Sequence, residues 1–225
     1  MITALGYCHK SRAHYTPHER VFLASIREYK PRDVEVFRQH SLGNFGTSYN
    51  ELVDTMIRGG HRTFAIANDD IVLRPDSFQL LNEDIEICQG EQRHWGVIAS
   101  RADYVRMSPQ NIRFTYGMEQ QRTIQNQQEL QIIAVPSVAP LLAVYTRETW
   151  VDFPPINFYS DDVQCFDIRQ RGYEVFVSRS YVHHVGSQTL GIANYEEDAK
   201  NSREWLLENR KDFVNLAMQT NNHGR

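Results

Sequence analysis

Thr63-Phe64-Ala65-Ile66-Ala67-Asn68-Asp69-Asp70-Ile71-Val72-Leu73-Arg74-Pro75-Asp76 takes an apolar run into an amide and two carboxylates, then resumes with apolar residues ahead of a proline. A run this apolar reads as the central strand of a parallel sheet. Ligands of open α/β sheets bind beyond the C-terminal ends of such strands. Two carboxylates there suit a divalent cation, because hard cations such as Mg²⁺ take one or two carboxylates together with substrate phosphates. The competing reading is a turn with a helix cap, since Asn and Asp favour both.

On the N-terminal side, Ile2 to Tyr7 reads as a first strand, and Thr16-Pro17-x-Glu19 as an N-cap with proline at the first helical position. Val21, Phe22, Ser25, Ile26 and Tyr29 recur at helical spacing, which predicts a helix from about 17 to 29 that Pro31 ends. Val34 to Arg38 predicts a second strand and 41–48 a glycine- and asparagine-rich loop. A second helix is expected over 49–58, stopped by Gly59-Gly60. On the C-terminal side, Pro75-Asp76 opens a third helix and Trp95 to Ser100 is a strand. The order β-α-β-α-β-α-β implies an α/β fold, a mostly parallel twisted sheet flanked by helices. The glutamine-rich stretch from Arg101 to Glu129 breaks the pattern, as a solvated loop or an acceptor-binding portion. Strands are then expected at 131–135, 141–145, 173–177 and 181–185, with helices at about 161–171 and 195–216.

The 225 residues, 41% hydrophobic and 23% charged, describe one compact domain, with residues to about 100 forming one half and 101–225 the other. A formal charge of −4 supplies no basic field, so nucleic acid is not expected as the main partner. Cys8, Cys88 and Cys165 are too few and too scattered for a disulfide framework or a CxxC metal site. No signal-peptide core and no run of eighteen apolar residues is present, so a cytosolic protein without a transmembrane segment is expected.

Two further groups bear carboxylates or imidazoles. Asp161-Asp162 follows the aromatic and proline-rich segment Trp150 to Ser160 and opens a helix. Acids at a helix start satisfy free N–H groups and the helix dipole. One of them can equally act as general base toward a hydroxyl, with the aromatics, Trp150 and Tyr159 among them, as a platform for a sugar ring. His183-His184 ends a predicted strand, where side chains alternate, so only one of the two faces a given site. A histidine is a sensible ligand beside a carboxylate and phosphates, for Mn²⁺ in particular.

Taken together, Asn44-x-Gly46-x-x-x-Asn50, the strand ending in Asn-Asp-Asp, Pro75-Asp76, Asp161-Asp162 with Arg169 and Gly172, and His184 with Gly186 and Thr189 resemble the family-2 type of inverting glycosyltransferase over most of the chain. The resemblance implies a GT-A fold, a Rossmann-like nucleotide-binding half continuous with an acceptor-binding half. It implies a nucleotide-diphosphate sugar as donor, a glycan or other hydroxyl as acceptor, and Mn²⁺ or Mg²⁺ as cofactor. It makes Asp70 the firmest metal ligand, with His184 completing the shell and Asn68 in place of the first aspartate. Asp69 becomes a second-rank ligand or a contact to ribose or donor sugar. Asp162 becomes the base and Asp161 an acceptor or donor contact. Tyr7, His9, Asn44 and Asn50 are the remaining candidate donor contacts. The family's acidic residue after the second strand is missing from Arg38-Gln39-His40-Ser41, which leaves the base open, uridine being the commonest.

These residues suit a single displacement: Asp162 deprotonates an acceptor hydroxyl attacking the anomeric carbon of a UDP-sugar, a UDP-glucose for example, while a cation offsets charge on the departing diphosphate. Arg210 and Lys211 are further candidates to assist the diphosphate. A sugar nucleotidyltransferase needs a glycine-rich phosphate loop that Gly6-Tyr7-Cys8-His9-Lys10 does not supply. A haloacid-dehalogenase-like phosphatase needs a nucleophilic aspartate where Asn68 stands. A non-catalytic sugar-binding relative is the remaining alternative.

Overall fold

The computed structural model describes residues 1–10, 15–103, 105, 108–112, 131–185 and 195–222. The first half alternates as expected: β1 (Ala4–His9), α1 (Pro17–Tyr29), β2 (Glu35–His40), α2 (Phe45–Arg58), β3 (Thr63–Ala67), a two-residue β4 (Ile71–Val72), α3 (Ser77–Gly90) and β5 (Trp95–Ala102). The second half adds β6 (Ile133–Ala134), β7 (Leu142–Thr146), α4 (Ser160–Gln170), β8 (Glu174–His184), α5 (Tyr195–Asn209) and α6 (Lys211–Asn222). The glutamine-rich segment 113–130 and the Gly186 and Thr189 positions lie outside the described residues.

Strands lie in the order β2-β1-β3-β7-β5-β8-β4, with β6 on β8. β1 pairs in parallel with β2 and β3, and β5 in parallel with β8. β7 runs antiparallel between β3 and β5, so β1, β2, β3, β5 and β8 all point one way. The sheet is therefore mostly parallel, and strands from both halves of the chain interleave in it.

Alternation along each strand feeds two cores. Leu5, Ala65 and Ala67 face Phe22 and Ile26 of α1 and Phe78 and Leu81 of α3. Ala4, Phe64 and Ile66 face Leu52, Val53 and Met56 of α2 and Cys165 and Ile168 of α4. Each fully buried Leu, Ile, Phe or Met of these layers adds about 1.5–3 kcal/mol of transfer free energy. Thr16 caps α1 by accepting from the Glu19 N–H at 3.2 Å, and Pro17 follows it at the first position, as expected.

Three elements differ from expectation. α2 begins four residues early, at Phe45, because Asn44 caps it by accepting from the Thr47 N–H at 2.8 Å. Gly46 reads as a breaker, but an ideal Cβ there would sit 1.9 Å from the Pro154 carbonyl oxygen, so its glycine is required by close packing inside the helix. The two strands expected over 173–185 are one, β8, carried through Ser178-Arg179-Ser180 because buried Asp84 satisfies them. Its carboxylate accepts from the Ser178 hydroxyl, the Arg179 backbone N–H and the Arg179 guanidinium. The single helix expected over 195–216 breaks at Arg210, whose guanidinium grips Asp167 of α4 at 2.6 and 2.9 Å and also meets Asp212.

Candidate functional site

Asn68, Asp69 and Asp70 leave the C-terminal end of β3 and line a cleft of about 440 Å³. Cys8, His9 and Lys10 line it at the end of β1, and Asn44, Phe45, Ser48 and Tyr49 at the start of α2. His184, Asn157 and Asp198 also line it. A cleft of this size at the C-terminal edge of an α/β sheet is the usual place for a small-molecule ligand.

The meeting of Asp70 with His184 follows from strand register. β4 and β8 pair antiparallel, Ile71 opposite His184 and Val72 opposite His183, and the Val185 N–H donates to the Asp70 carbonyl at 2.9 Å. Asp70, 1% exposed, then faces His184, with Oδ2 3.5 Å from Nε2. The alternation that brings His184 in turns His183 out: the His183 side chain is 50% exposed and pairs through Nδ1 with Asp103. Buried Asp103 also accepts from the Tyr181 hydroxyl and from the His184 backbone N–H at 3.1 Å, which ties down the end of β8.

Asp69, 4% exposed, turns to the other side, where His18 Nε2 lies 3.9 Å from its Oδ2. Burial, helped by the adjacent Asp70 charge and opposed by His18, pushes its carboxyl up to about 6. Asn68 is held on both sides: its N–H donates to the Leu141 carbonyl, and the Tyr49 hydroxyl, which donates to the Ala67 carbonyl at 2.8 Å, lies 3.3 Å from its Oδ1.

Several predicted contacts sit elsewhere. Tyr7 is in the core, 2% exposed and edge-on to Phe22, while its neighbours Cys8 and His9 reach the cleft. Asn50 spends both ends of its amide on the Phe153 backbone, at 2.9 Å each, and so fastens the segment around 153 to α2. Trp150, expected as a sugar platform, packs among Phe64, Tyr145 and Phe153, with its indole N–H donated to Asp152, and is not among the cleft-lining residues. Tyr159 takes a left-handed backbone, φ 64, just ahead of α4 and packs against the Ile156, Val163 and Leu206 cluster. Asn44 lines the cleft with its side-chain oxygen engaged as a cap. Asp161 and Asp162 stand in the first turn of α4 and are not among the cleft-lining residues. Asp162 Oδ1 accepts from the Ser137 hydroxyl at 2.8 Å, and Asp161 Oδ1 from the Asp162 N–H at 3.1 Å. Arg210 is held by Asp167 rather than turned to the cleft.

Sequence spacing did not signal His18, Asp103, Asn157 or Asp198. His18 and Asp198 sit within helices, Asp103 directly after β5 and Asn157 in the segment before α4. Tertiary packing alone brings them to this end of the sheet.

Among the described residues no group of three or more His, Cys, Asp and Glu side chains could hold a metal ion. Asp70 and His184 offer two ligands of suitable chemistry, a carboxylate oxygen and an imidazole nitrogen. Two protein ligands are enough for Mg²⁺ or Mn²⁺ only when substrate phosphates and water complete the shell.

No family model matches the chain, and no curated protein matches its sequence. Among solved structures, S. aureus TarS 1-349 in complex with UDP superposes with a TM-score of 0.51 at 11% identity, over 83% of this chain and 61% of that one. S. aureus TarS gives 0.50 at 11% identity, over 83% and 37%. A197 from STIV gives 0.48 at 13% identity, over 79% and 81%. The chain thus spans about three-fifths of TarS 1-349. At this identity the likeness establishes the fold alone: the chain is a mixed α/β protein with a mostly parallel sheet flanked by helices. Among the described residues no helix is long and apolar enough to cross a membrane.

Proposed function

We propose that the chain is a metal-dependent inverting glycosyltransferase of the family-2 type, moving a hexose from a UDP-sugar to the hydroxyl of a glycan or other acceptor. The observation that carries this reading is the buried Asp70 carboxylate facing His184 in a cleft at the C-terminal end of β3. The fold it shares with TarS, a protein crystallised with UDP, supports a nucleotide donor.

Asp70 and His184 are the residues that would hold Mn²⁺ or Mg²⁺, with Asp69 beside them in reserve. Such a cation, when bound, offsets the negative charge that develops on the leaving diphosphate. Lys10 at the end of β1 adds a positive charge toward the same phosphates. Asp162 takes the proton from the acceptor hydroxyl as it attacks the anomeric carbon on the face opposite the diphosphate, which inverts that centre. The Ser137 hydroxyl, on Asp162 Oδ1, orients this carboxylate, and Asp161 accepts from the next backbone N–H at the start of α4.

Release of nucleotide from a panel of sugar nucleotides with Mn²⁺, before and after chelation, tests the reading. Mn²⁺-dependent turnover of a UDP-sugar is expected, with Asp162→Asn lowering turnover far more than donor binding. Binding of UDP with no turnover on any acceptor would leave a non-catalytic sugar-nucleotide-binding protein. Near-normal transfer by Asp162→Asn would remove Asp162 as base.

A further inference from the structure

Of the carboxylates that line the cleft, Asp70 faces His184 and Asp69 lies near His18, whereas Asp198 serves neither the metal nor the base assignment. It belongs to the first turn of α5, where an acid also suits the helix dipole. Glu196 and Glu197, both exposed, fit that role. Asp198 is half-buried. Tyr195, Asp198, Ser202 and Leu206 recur at three- and four-residue spacing, which puts them on one face of α5. That face lies on the segment just ahead of α4. The Tyr195 ring stands edge-on to Phe158 at 4.8 Å, Ser202 Oγ accepts from the Phe158 N–H at 3.2 Å, and Leu206 packs with Ile156 and Val163.

Asn157, between Ile156 and Phe158, lines the same cleft. Its Oδ1 accepts from the Phe45 N–H at 2.9 Å, so the amide Nδ2 is what it can offer a ligand. Among the described residues, no hydrogen bond or ion pair engages this Nδ2 or the Asp198 carboxylate. The two side chains bring N–H donors and a carboxylate acceptor to the cleft, and no positive charge. This set matches hydroxyl groups, whose O–H donates to the carboxylate while the oxygen accepts from the amide. It does not match phosphate, which a carboxylate repels. Asn157 stands four residues ahead of Asp161, at most about 14 Å along the chain, so this part of the cleft is on the side of α4's first turn.

We infer that Asp198 and Asn157 hold hydroxyls of the transferred sugar, and that Asp198 selects a neutral sugar over a hexuronic acid. The assignment rests on the glycosyltransferase reading and names the substrate class within it. In that reading the sugar lies between the diphosphate, at Asp70 and His184, and the base in the first turn of α4, which sets it beside Asn157 and Asp198. A neutral hexose satisfies both side chains with its hydroxyls. A hexuronic acid brings a second carboxylate toward Asp198, and repulsion at contact distance costs about tenfold or more in affinity.

Calorimetric titration of the full chain with UDP, UDP-glucose and UDP-glucuronate, each with Mn²⁺ and without acceptor, tests this. The two sugars differ only in a hydroxymethyl group against a carboxylate. The wild type should bind UDP-glucose at least about tenfold more tightly than UDP-glucuronate. Asp198→Asn should weaken UDP-glucose about three- to tenfold, tighten UDP-glucuronate about tenfold and leave UDP unchanged. Asn157→Asp, which keeps the acceptor for Phe45 and removes the donor, should also weaken UDP-glucose and not UDP. Glu197→Gln, the exposed acid of the same turn, should change none of the three. A preference left intact by Asp198→Asn, or shifted as far by Glu197→Gln, overturns the selection by Asp198. Equal losses of UDP and UDP-glucose in Asp198→Asn put the carboxylate on the nucleotide and overturn the sugar contact, with the glycosyltransferase reading standing. No UDP binding by the wild type overturns both.

Discussion

Gly46→Ala carries the sharpest structural prediction. The added methyl would fall 1.9 Å from the Pro154 carbonyl oxygen, 2.7 Å from the Pro154 carbonyl carbon and 3.2 Å from Phe153 Cβ. Restoring an ordinary contact of about 3.2 Å means parting the two backbones by more than about 1 Å, and no rotamer can relieve a clash with a backbone. Both sides are anchored. Leu52, Val53 and Met56 fix α2 in the core, and Asn50 with buried Phe153 fixes the facing segment. The Phe45 N–H to Asn157 bond at 2.9 Å spans the same junction and stretches with it. Overpacking in the upper part of its usual range, with that bond weakened, costs about 3 kcal/mol. For a chain of this length that is a fall in melting temperature of about 6–12 °C. Thermal and urea unfolding followed by circular dichroism measures it. The control is Gly90→Ala at the end of α3, where nothing lies within 4 Å of the new Cβ, and a gain of about 0.5–1 kcal/mol is expected. Asn44, Phe45 and Asn157 line the cleft, so Gly46→Ala should also weaken UDP. A Gly46→Ala protein melting within about 2 °C of wild type would refute the account of this contact.

Asp70→Asn should lower Mn²⁺ affinity and sugar transfer by about 100-fold or more while leaving the circular dichroism spectrum intact, since even groups behind a metal ligand cost 10–100-fold; Mn²⁺ paramagnetic resonance titration checks it. Asp103→Asn, which loosens the hold on the end of β8, should weaken Mn²⁺ about tenfold, and unchanged affinity would show that the β4–β8 register alone places His184. Burial pushes the Cys165 thiol up to about 12 and the Cys88 thiol up to about 11, so the native state keeps protons that the unfolded chain releases above its ordinary value of 9.0. That stability is complete below the unfolded value and is lost as pH rises through the folded one, at about 1.4 kcal/mol per pH unit for each thiol between about pH 9 and 11. Urea midpoints across that range should fall, and Cys165→Ala should flatten the slope.

The strand at 63–67 and the cap at Thr16 were legible because each rests on a local rule, an apolar run and a helix start signal; a two-residue alternation said only that one of His183 and His184 faces a given site, and the β4–β8 register turns His184 toward Asp70. What misled were residues whose type suits two roles. Gly46 breaks helices in isolation but here admits a neighbouring backbone. Ser178-Arg179-Ser180 looks like a turn until buried Asp84 supplies its partners. Trp150 and Tyr159 look like a sugar platform because aromatics serve both cores and carbohydrate sites, and here Trp150 packs in a core while Tyr159 packs against the Ile156 cluster. Asp103 and His18 carry no local signature at all. Their places beside the cleft-lining His184 and Asp69 come from contacts across 81 and 51 positions of chain.

The antiparallel strand β7, lying between β3 and β5, has a consequence for how the chain is made. A ribosome releases β1, β2 and β3 first, and these can associate at once through neighbouring parallel pairings. The far edge of β3, which carries the Asn-Asp-Asp turn, then waits for residues 142–146 before its backbone groups find partners. Until then it is an exposed apolar edge, the feature most prone to pair with another chain. A fragment ending before residue 142 should therefore aggregate rather than fold into half a domain, and chaperone binding during synthesis should peak while that edge is open.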